Sequence, residues 1–244
     1  MNILGINAFH GDASAALLKD GELLAAIEEE RLNRRKHCAG FPALAVRAAL
    51  ANSGVAPEEI DHIAISRDPK ANLHKKILFA IQKRPSFTKL VKDRLANVAK
   101  VRVIHDAVAA ALGIEKRALR AKIHNVEHHK SHVASAFFIS PFEEAACLSI
   151  DGFGDFVSTM RAVGRDRKIE VLDRIEFPHS AGLFYTAITQ FLGFHRYGEE
   201  WKMMGLAPYG KPLYVNQLRQ VIHPTDGGRF ELNLDYFRHH SEGV

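Results

Sequence analysis

The feature of this sequence that most constrains the fold is a strand–turn–strand pattern that occurs once in each half. In the first half, apolar segments at Ala13–Lys19 and Glu22–Glu28 flank Asp20-Gly21, a dipeptide that favours the positive φ angles of a tight hairpin turn. In the second half, segments at Ala145–Ile150 and Phe156–Val163 flank a glycine-rich turn with the sequence DGFGD. Each half adds a third strand and then a helical pattern, so the sequence predicts an internally duplicated α/β fold with mixed sheets.

The order of the other predicted elements divides the chain into two subdomains. Residues 1–126 are predicted to fold as β-β-β-α-β with a basic helical insertion at about 68–122, and residues 127–244 as the start of a second, similar unit. The insertion contains lysines such as Lys75, Lys76 and Lys83, but it lacks the interleaved aromatic residues and the glycine motif of a nucleic-acid-binding surface. We therefore predict a solvated basic face there and do not predict nucleic acid as a partner.

Charge and cysteine usage narrow the class of ligand and the compartment. The net charge of +5 suits an anionic ligand such as a nucleotide or a phosphate. The two cysteines, Cys38 and Cys147, fit a reduced protein, and the sequence shows neither a signal peptide nor an apolar run of about 20 residues. We expect a cytoplasmic protein that does not enter a membrane.

A histidine pair and a following aspartate predict a metal site. His128 and His132 stand four residues apart at a predicted helix start, and side chains at that spacing share one helix face. Asp151 follows the strand Ala145–Ile150, where a carboxylate would lie at the carboxyl end of the sheet. Two imidazoles and one carboxylate form a donor set suited to iron, manganese or zinc. His129 offers a rival pairing, and spacing alone leaves it open, as it leaves open an ordinary polar helix start.

Three polar segments have weaker signatures. The charged segment from Glu28 to His37 is predicted to be a solvated surface loop. The segment HRYGEEWKMMGLAPYGKP is dense in charge, aromatic residues and glycine, which predicts a functional loop rather than a linker. The DGFGD turn contains Gly152 and Gly154, whose backbone N–H groups would suit phosphate oxygens, although ordinary hairpins use such turns widely.

Seven motifs, taken in order, resemble the N-terminal half of the NodU/CmcH-type O-carbamoyltransferases over residues 1 to about 212. They are GINAFHGDASAALLKDG, EEERLNRRKH, FP, VEHHKSHVASAF, SIDGFGD, GLFYTAITQFLGF and GEEWKMMGLAPYGKP. The chain is also similar, more remotely, to the threonylcarbamoyl-transfer proteins of tRNA modification and to hydrogenase-maturation carbamoyltransferases, which share the H-x-x-x-H motif.

The resemblance implies a fold and a reaction. The fold is a duplicated, mixed-sheet actin/Hsp70-like (ribonuclease H-like) ATPase fold whose second half is incomplete in this chain. Members of the family make a carbamoyl-adenylate from carbamoyl phosphate and ATP in a C-terminal YrdC-like domain. The N-terminal domain then passes the carbamoyl group to a hydroxyl of a natural product or saccharide. ATP is thus a co-substrate, and iron is the expected metal, with manganese or magnesium as alternatives.

The resemblance also assigns roles to single residues. It implies that His128, His132 and Asp151 hold the metal. His10 and Asp12 match the first-loop H-x-D pattern, with His10 taking the proton of the acceptor hydroxyl and Asp12 orienting it, unless the two merely cap the loop. The other matches lie where the adenylate or the acceptor is expected to bind, and they are Gly152, Gly154, Lys36, Glu199, Glu200 and Lys202.

Members of the family are usually much longer, and this sequence matches no YrdC-like domain. We therefore expect a fragment, a truncated gene product or one part of a split enzyme, partnered by the missing C-terminal half and inactive, or nearly so, by itself. Two alternatives stay open. One is a non-catalytic nucleotide-binding remnant. The other is a tRNA threonylcarbamoyl-transfer component, for which the basic insertion is the only support.

Overall fold

The computed structural model describes residues 1–9, 11–82 and 104–242, and the chain forms two compact units. The first unit is Met1–Val126 and the second is Glu127–Val244. Both combine strands with helices, which confirms the predicted α/β class. Within the described ranges, no helix is long and apolar enough to cross a membrane.

The first unit is built on a five-stranded mixed sheet. Its strands are β1 (Asn2–Asn7), β2 (Ser14–Lys19), β3 (Glu22–Glu28), β4 (His62–Ile65) and β5 (Lys122–Asn125). They lie in the spatial order β3-β2-β1-β4-β5. Neighbours among β1, β2 and β3 are antiparallel, whereas β4 runs parallel to both β1 and β5.

The hairpin between β2 and β3 turns at Asp20-Gly21, as the sequence predicts. Both residues have positive φ angles, 52° and 91°, a conformation that Gly adopts freely and Asp adopts more readily than most residues. Alternate residues of the strands, among them Leu4 and Ile6 of β1 and Leu17 of β2, are buried in one core. The period-two pattern of the sequence therefore determines which face of this sheet is covered.

The helices described in this unit are α1 (Glu29–Asn33), α2 (Ala43–Ser53), α3 (Leu73–Gln82) and α4 (residues 104–112). Of these, α2 and α4 contribute buried apolar residues to the core against the sheet. α2 contributes Val46 and Ala49 to the core and ends at Gly54, which has a φ of 67° and donates its N–H to the Leu50 carbonyl. The predicted helical insertion at about 68–122 is thus seen at its two ends, whereas residues 83–103, with Lys83, lie outside the described residues.

The charged segment Glu28–His37 is not the solvated loop that the sequence predicts, because it begins with α1 and buries Glu29. The Glu29 carboxylate accepts the N–H groups of Leu44 at 3.3 Å and Ala45 at 2.8 Å. These are first-turn donors of α2, and the N-cap residue of that helix, Pro42, has no side-chain acceptor to offer them. A long-range cap therefore replaces the local one.

The second unit contains a three-stranded antiparallel sheet, with one helix before it and one after it in the sequence. α5 (His128–Phe137) precedes the sheet and α6 (Ala181–Phe191) follows it. The strands are β6 (Glu144–Gly154), β7 (Val157–Arg165) and β8 (Lys168–Glu176), in that spatial order. The later elements are α7 (Glu200–Leu206), α8 (Val215–Leu218), the hairpin of β9 (Ile222–Thr225) and β10 (Arg229–Leu232), and α9 (His239–Glu242).

Two predictions for the second unit are wrong in detail. Gly152 and Gly154 belong to β6, and the residues of the turn are Asp155 and Phe156, with φ angles of 52° and 77°. The predicted loop around Glu199 contains α7, because the run EWKMM is rich in residues that favour a helix. Of the two glycines, Gly154 marks close packing at β6 rather than a turn.

Candidate metal centre

Two imidazoles and one carboxylate of the second unit meet at one point. The Nε2 atom of His128 lies 2.7 Å from Oδ2 of Asp151 and 3.0 Å from Nε2 of His132. Nε2 of His132 lies 3.5 Å from the same oxygen of Asp151. The three donor atoms therefore converge from the first turns of α5 and from the last part of β6.

The first turn of α5 sets the direction of both histidines. Glu127 caps the helix by accepting the N–H of Lys130 at 2.9 Å, and the Asp155 carboxylate accepts the N–H of His128 at 3.0 Å. From this fixed start, the four-residue spacing places His128 and His132 on one face, with their ring centroids 4.6 Å apart.

His129, which spacing alone left as a rival, faces the protein interior and is fully buried. Its Nε2 atom lies 2.9 Å from the carbonyl oxygen of Val157, and its Nδ1 atom lies 2.8 Å from the hydroxyl oxygen of Ser149. Burial lowers the pKa of His129, so the ring is neutral, donates from Nε2 and accepts the serine hydroxyl at Nδ1. His129 is a hydrogen-bonded core residue, and the histidines that face Asp151 are His128 and His132.

Asp151 is held in the state that a cation requires of its ligand. The N–H of Gly152 donates to Oδ1 at 2.6 Å, while Oδ2 faces the two imidazoles. Hydrogen bonds from His128, and then from His132, hold the pKa of the Asp151 carboxyl well below its usual range. The carboxylate is therefore ionised at neutral pH.

The donor set fits a divalent cation. Two imidazole nitrogens 3.0 Å apart would direct lone pairs at one another unless a proton or a cation lies between them. The side chain of His128 is 12% exposed and anchors the site, whereas those of His132 and Asp151 are 53% and 40% exposed and leave it accessible to solvent and ligands. Three protein ligands with an open side are typical of a catalytic metal site rather than of a closed structural one.

Close packing around two glycines allows the site to form. A Cβ atom at Gly154 would lie 1.9 Å from Cδ2 of His128, and one at Gly182 of α6 would lie 2.6 Å from the backbone carbonyl of Asp151. A Cβ at Gly152 would meet nothing within 4 Å. The predicted phosphate-binding turn is therefore wrong as a turn, and the contact of Gly152 and Gly154 with an adenylate stays a prediction.

Three of the predicted adenylate and acceptor residues, Glu199, Glu200 and Lys202, lie around the start of α7. The Glu199 carboxylate accepts a hydrogen bond from the Lys202 ammonium at 2.5 Å and another from the backbone N–H of Arg196 at 3.0 Å. The hydrogen bond from Lys202 lowers the pKa of the Glu199 carboxyl. Glu200 accepts the hydroxyl of Thr186, on α6, at 2.7 Å. The hydrogen bond from Thr186 to Glu200 joins the start of α7 to α6, whereas the two contacts of Glu199 are local.

The predicted proton-transfer residues of the first unit are described in part. His10 lies outside the described residues. The Oδ1 atom of Asp12 lies 2.9 Å from Nδ1 of His37, and Glu30 completes a cluster in which one ligand atom of each residue lies within 4.8 Å of the others. Lys36, beside His37 in sequence, is exposed.

The sequence did not single out His37 as a partner of Asp12, because no local spacing relates positions 12 and 37. The hairpin of β2 and β3 brings them together, since its open end pairs Ser14 with Glu28. Asp12 directly precedes the predicted strand Ala13–Lys19, but His37 follows the end of the predicted strand Glu22–Glu28 by nine residues, so the strand ends did not point to this contact.

Comparison with known proteins identifies relatives of this chain. The sequence matches the family model described as Carbamoyltransferase N-terminus over residues 2–243. It is 38% identical over 244 aligned residues to uncharacterized protein sll1178 of Synechocystis, a match that covers 98% of this chain and 40% of that protein. It is 35% identical to nodulation protein NolNO of Sinorhizobium fredii over 94% of this chain and 32% of that protein. The chain thus spans two fifths or less of the length of these two relatives.

Similar chains are also found among solved structures. YeaZ from Pseudomonas aeruginosa is 15% identical with a TM-score of 0.35, over 73% of this chain and 69% of that chain. The Aquifex aeolicus Ppx/GppA phosphatase is 14% identical with a TM-score of 0.33, over 87% of this chain and 65% of that chain.

Proposed function

The chain belongs to the carbamoyltransferase N-terminus family, and on that premise we propose that it is the acceptor-side part of an ATP-dependent O-carbamoyltransferase. In that reaction the carbamoyl group of a carbamoyl-adenylate, made from carbamoyl phosphate and ATP, is transferred to a hydroxyl of a natural product or saccharide. The observation that carries the proposal is the convergence of His128, His132 and Asp151 in a chain of this family.

The two units would be the ribonuclease H-like subdomains of an actin/Hsp70-like ATPase fold. Each contains a three-stranded antiparallel meander with a helix after it. The second unit exposes large apolar side chains, including Leu148, Ile150 and Leu172 on its sheet. Exposed apolar surface of this kind is usual where another segment packs, which supports a further part of the protein, in the same chain or in a separate subunit, as the partner.

In this proposal His128, His132 and Asp151 hold a divalent metal ion, with iron expected and manganese or magnesium as alternatives. Such an ion would draw negative charge off the phosphate of the leaving AMP. The contribution of the chain itself is positional: the capped start of α5 directs both imidazoles, and the N–H of Gly152 keeps one carboxylate oxygen of Asp151 engaged while the other faces the site.

The remaining predicted residues would bind the two substrates. The resemblance implies that His10 would take the proton of the acceptor hydroxyl and that Asp12 would orient it. A larger group would contact the adenylate or the acceptor, and it comprises Lys36, Gly152, Gly154, Glu199, Glu200 and Lys202.

A second candidate function is that of a non-catalytic nucleotide-binding remnant. The pairing of Lys202 with Glu199 favours it, because each charge is neutralised by the other rather than presented to a ligand. A tRNA-modification component is a third candidate, and its only support is the basic insertion around Lys75 and Lys76.

The test is transfer of the carbamoyl group by the complete gene product that carries this chain. Carbamoyl-adenylate is supplied with a panel of hydroxyl acceptors, and AMP and carbamoylated acceptor are quantified. We expect both products in equal amounts from the wild type and neither from a His132→Ala variant. No AMP release from metal-loaded wild type would favour the remnant. The 244-residue chain alone, given carbamoyl phosphate and ATP, is expected to be inactive.

A further inference from the structure

His129, which directly follows the candidate ligand His128, joins the first turn of α5 to two strands of the sheet. Its Nδ1 atom accepts the hydroxyl of Ser149 on β6 at 2.8 Å, and its Nε2 atom donates to the carbonyl oxygen of Val157 on β7 at 2.9 Å. Ser149 lies two residues before Asp151 on β6. One side chain therefore connects the helix that carries two of the donors to the strand that carries the third.

α5 presents a buried stripe and a ligand stripe side by side. Its buried residues are His129, Val133 and Phe137, which recur every four residues. The ligands His128 and His132 recur at the same spacing one position earlier, and one position corresponds to about 100° of rotation about the helix axis. The direction in which the buried stripe points therefore determines the direction in which both ligands point.

Two of the three positions of the buried stripe are held by apolar packing. Val133 belongs to a small core cluster with Met160 and Ala162 of β7. Phe137 packs so closely on the same strand that a Cβ atom at Gly164 would lie 2.6 Å from its ring. Because apolar contact has no preferred direction, it keeps the helix on the sheet without preventing a small rotation.

The third position is polar, and its hydrogen bonds have a direction. A buried imidazole is unfavourable unless its nitrogens have partners, and both nitrogens of the fully buried His129 ring have one. An apolar side chain could be buried here without that requirement. What the histidine adds is two hydrogen bonds of defined length and angle. They fix the rotation of α5 at the turn that carries His128, whose ring centroid lies 5.3 Å from that of His129.

The narrow tolerance of a metal site makes this restraint significant. Side-chain atoms extend to about 5–6 Å from a helix axis, so a rotation of about 10° moves them by about 1 Å. Metal–ligand distances, by contrast, stay within about 0.2 Å of their ordinary values. A rotation too small to expose the buried stripe is therefore large enough to separate the α5 imidazoles from a cation held by Asp151.

We propose that His129 is a positioning residue of the metal centre, and that its hydrogen bond to Ser149 sets the distance between the α5 imidazoles and the Asp151 carboxylate. The proposal rests on the proposed function, in which His128, His132 and Asp151 hold a divalent cation. His129 does not itself bind the cation, because both of its ring nitrogens are bonded to protein groups. It acts on the affinity of the site for the cation.

The test measures cation affinity after this restraint is removed without a change to any ligand. Ser149→Ala deletes the hydroxyl and leaves the three donor side chains in place. The matched control is Thr189→Val on α6, which removes another buried hydroxyl of the second unit, one that donates to the Tyr185 carbonyl. The complete gene product is freed of metal with a chelator and titrated with Mn²⁺. Unbound Mn²⁺ is measured by electron paramagnetic resonance, and urea denaturation measures the stability of each metal-free variant.

We expect Ser149→Ala to raise the Mn²⁺ dissociation constant by roughly 10-fold or more, and Thr189→Val to leave it within about two-fold of wild type. If Ser149→Ala loses stability but keeps its affinity, His129 is only a core residue and the proposal fails. An equal loss of affinity in both variants would overturn it as well. Wild-type protein that binds no Mn²⁺ would refute the metal centre and this proposal with it. Wild-type protein that binds Mn²⁺ but transfers no carbamoyl group would refute the proposed function alone.

A spectroscopic measurement tests the two hydrogen bonds in the wild type and needs no variant. With ¹⁵N-labelled histidine, the chemical shifts of the His129 ring should show the Nε2–H tautomer in metal-free protein. The Nε2 proton should exchange slowly with solvent, because the ring is fully buried. An Nδ1–H tautomer or rapid exchange would show that the bonds to Ser149 and Val157 are absent, and would overturn the proposal.

Discussion

The ring of His128 lies against Gly154 so closely that no other residue fits at position 154. A Cβ atom there would be 1.9 Å from Cδ2 and 2.7 Å from Cβ of His128. His128, a candidate metal ligand on α5, can therefore take its position only because Gly154 has no side chain. Gly154 lies on β6, the strand that also carries Asp151. Gly154 of the SIDGFGD motif is required by packing at the site and not by a turn.

Gly154→Ala should consequently damage the site, whereas Gly152→Ala should not. Overlap with His128 must move the ring or the strand, and we expect a loss of about 1–3 kcal/mol in the free energy of unfolding, measured by urea denaturation. Gly152→Ala is the matched control two residues away on the same strand, since a Cβ there meets nothing within 4 Å. Equal stability of the two variants would contradict the packing role of Gly154.

His132→Ala should abolish metal binding without unfolding the protein. The His132 side chain is 53% exposed, so its removal leaves no buried cavity, but it removes one of three converging donors. We expect about one equivalent of iron or manganese in wild-type protein by elemental analysis, and little in the variant. His74→Ala controls for the loss of an exposed helical histidine. Wild-type protein that binds no added metal would argue against the site.

Acidification should loosen the second-unit hairpin of β9 and β10. The N–H of Leu232 donates to Nδ1 of His179 at 3.0 Å, which requires that nitrogen to be unprotonated. Burial lowers the pKa of His179, and also that of His239, which donates from Nε2 to the Pro178 carbonyl at 2.8 Å. On acidification the unfolded state therefore binds protons at a higher pH than the folded state does. The stabilisation that comes from the neutral His179 ring is complete above about pH 6.5 and is lost as the pH falls below that value.

Hydrogen exchange at the Leu232 amide, corrected for its intrinsic pH dependence, measures this effect. Protection should decrease between about pH 7 and pH 5, following the lowered pKa of His179. A His179→Gln variant should lose the pH dependence, and a His74→Gln variant should keep it. Protection that is constant across this range in the wild type would show that His179 does not control the hairpin.

Glu29→Ala should destabilise the first unit through loss of a helix cap. Its buried carboxylate accepts the N–H groups of Leu44 and Ala45 at the start of α2, and both donors would lose their partner. A capping residue contributes about 0.5–2 kcal/mol, so we expect a decrease of that size in the free energy of unfolding. The exposed Glu58 provides the comparison, since Glu58→Ala should have little effect. Similar stabilities of the two variants would contradict the capping role.

Local spacing was enough to predict much of this protein. The φ angles available to Asp20-Gly21 determine the first hairpin. The four-residue separation of His128 and His132 guarantees a shared helix face wherever that helix lies. These features depend on interactions between residues that are close together in the sequence, so the local pattern is sufficient to predict them.

Only the tertiary structure decided which residues meet across the chain. Spacing did not choose between His128 and His129, and packing of α5 on β6 and β7 did so by burying His129 against Ser149 and Val157. The same holds for the Glu29 cap and for the contact of Asp12 with His37. Each partner lies on a separate element, and the distance between them depends on strand register and on how closely backbones approach. The sequence alone encodes those quantities only through the whole fold, because no local pattern carries them.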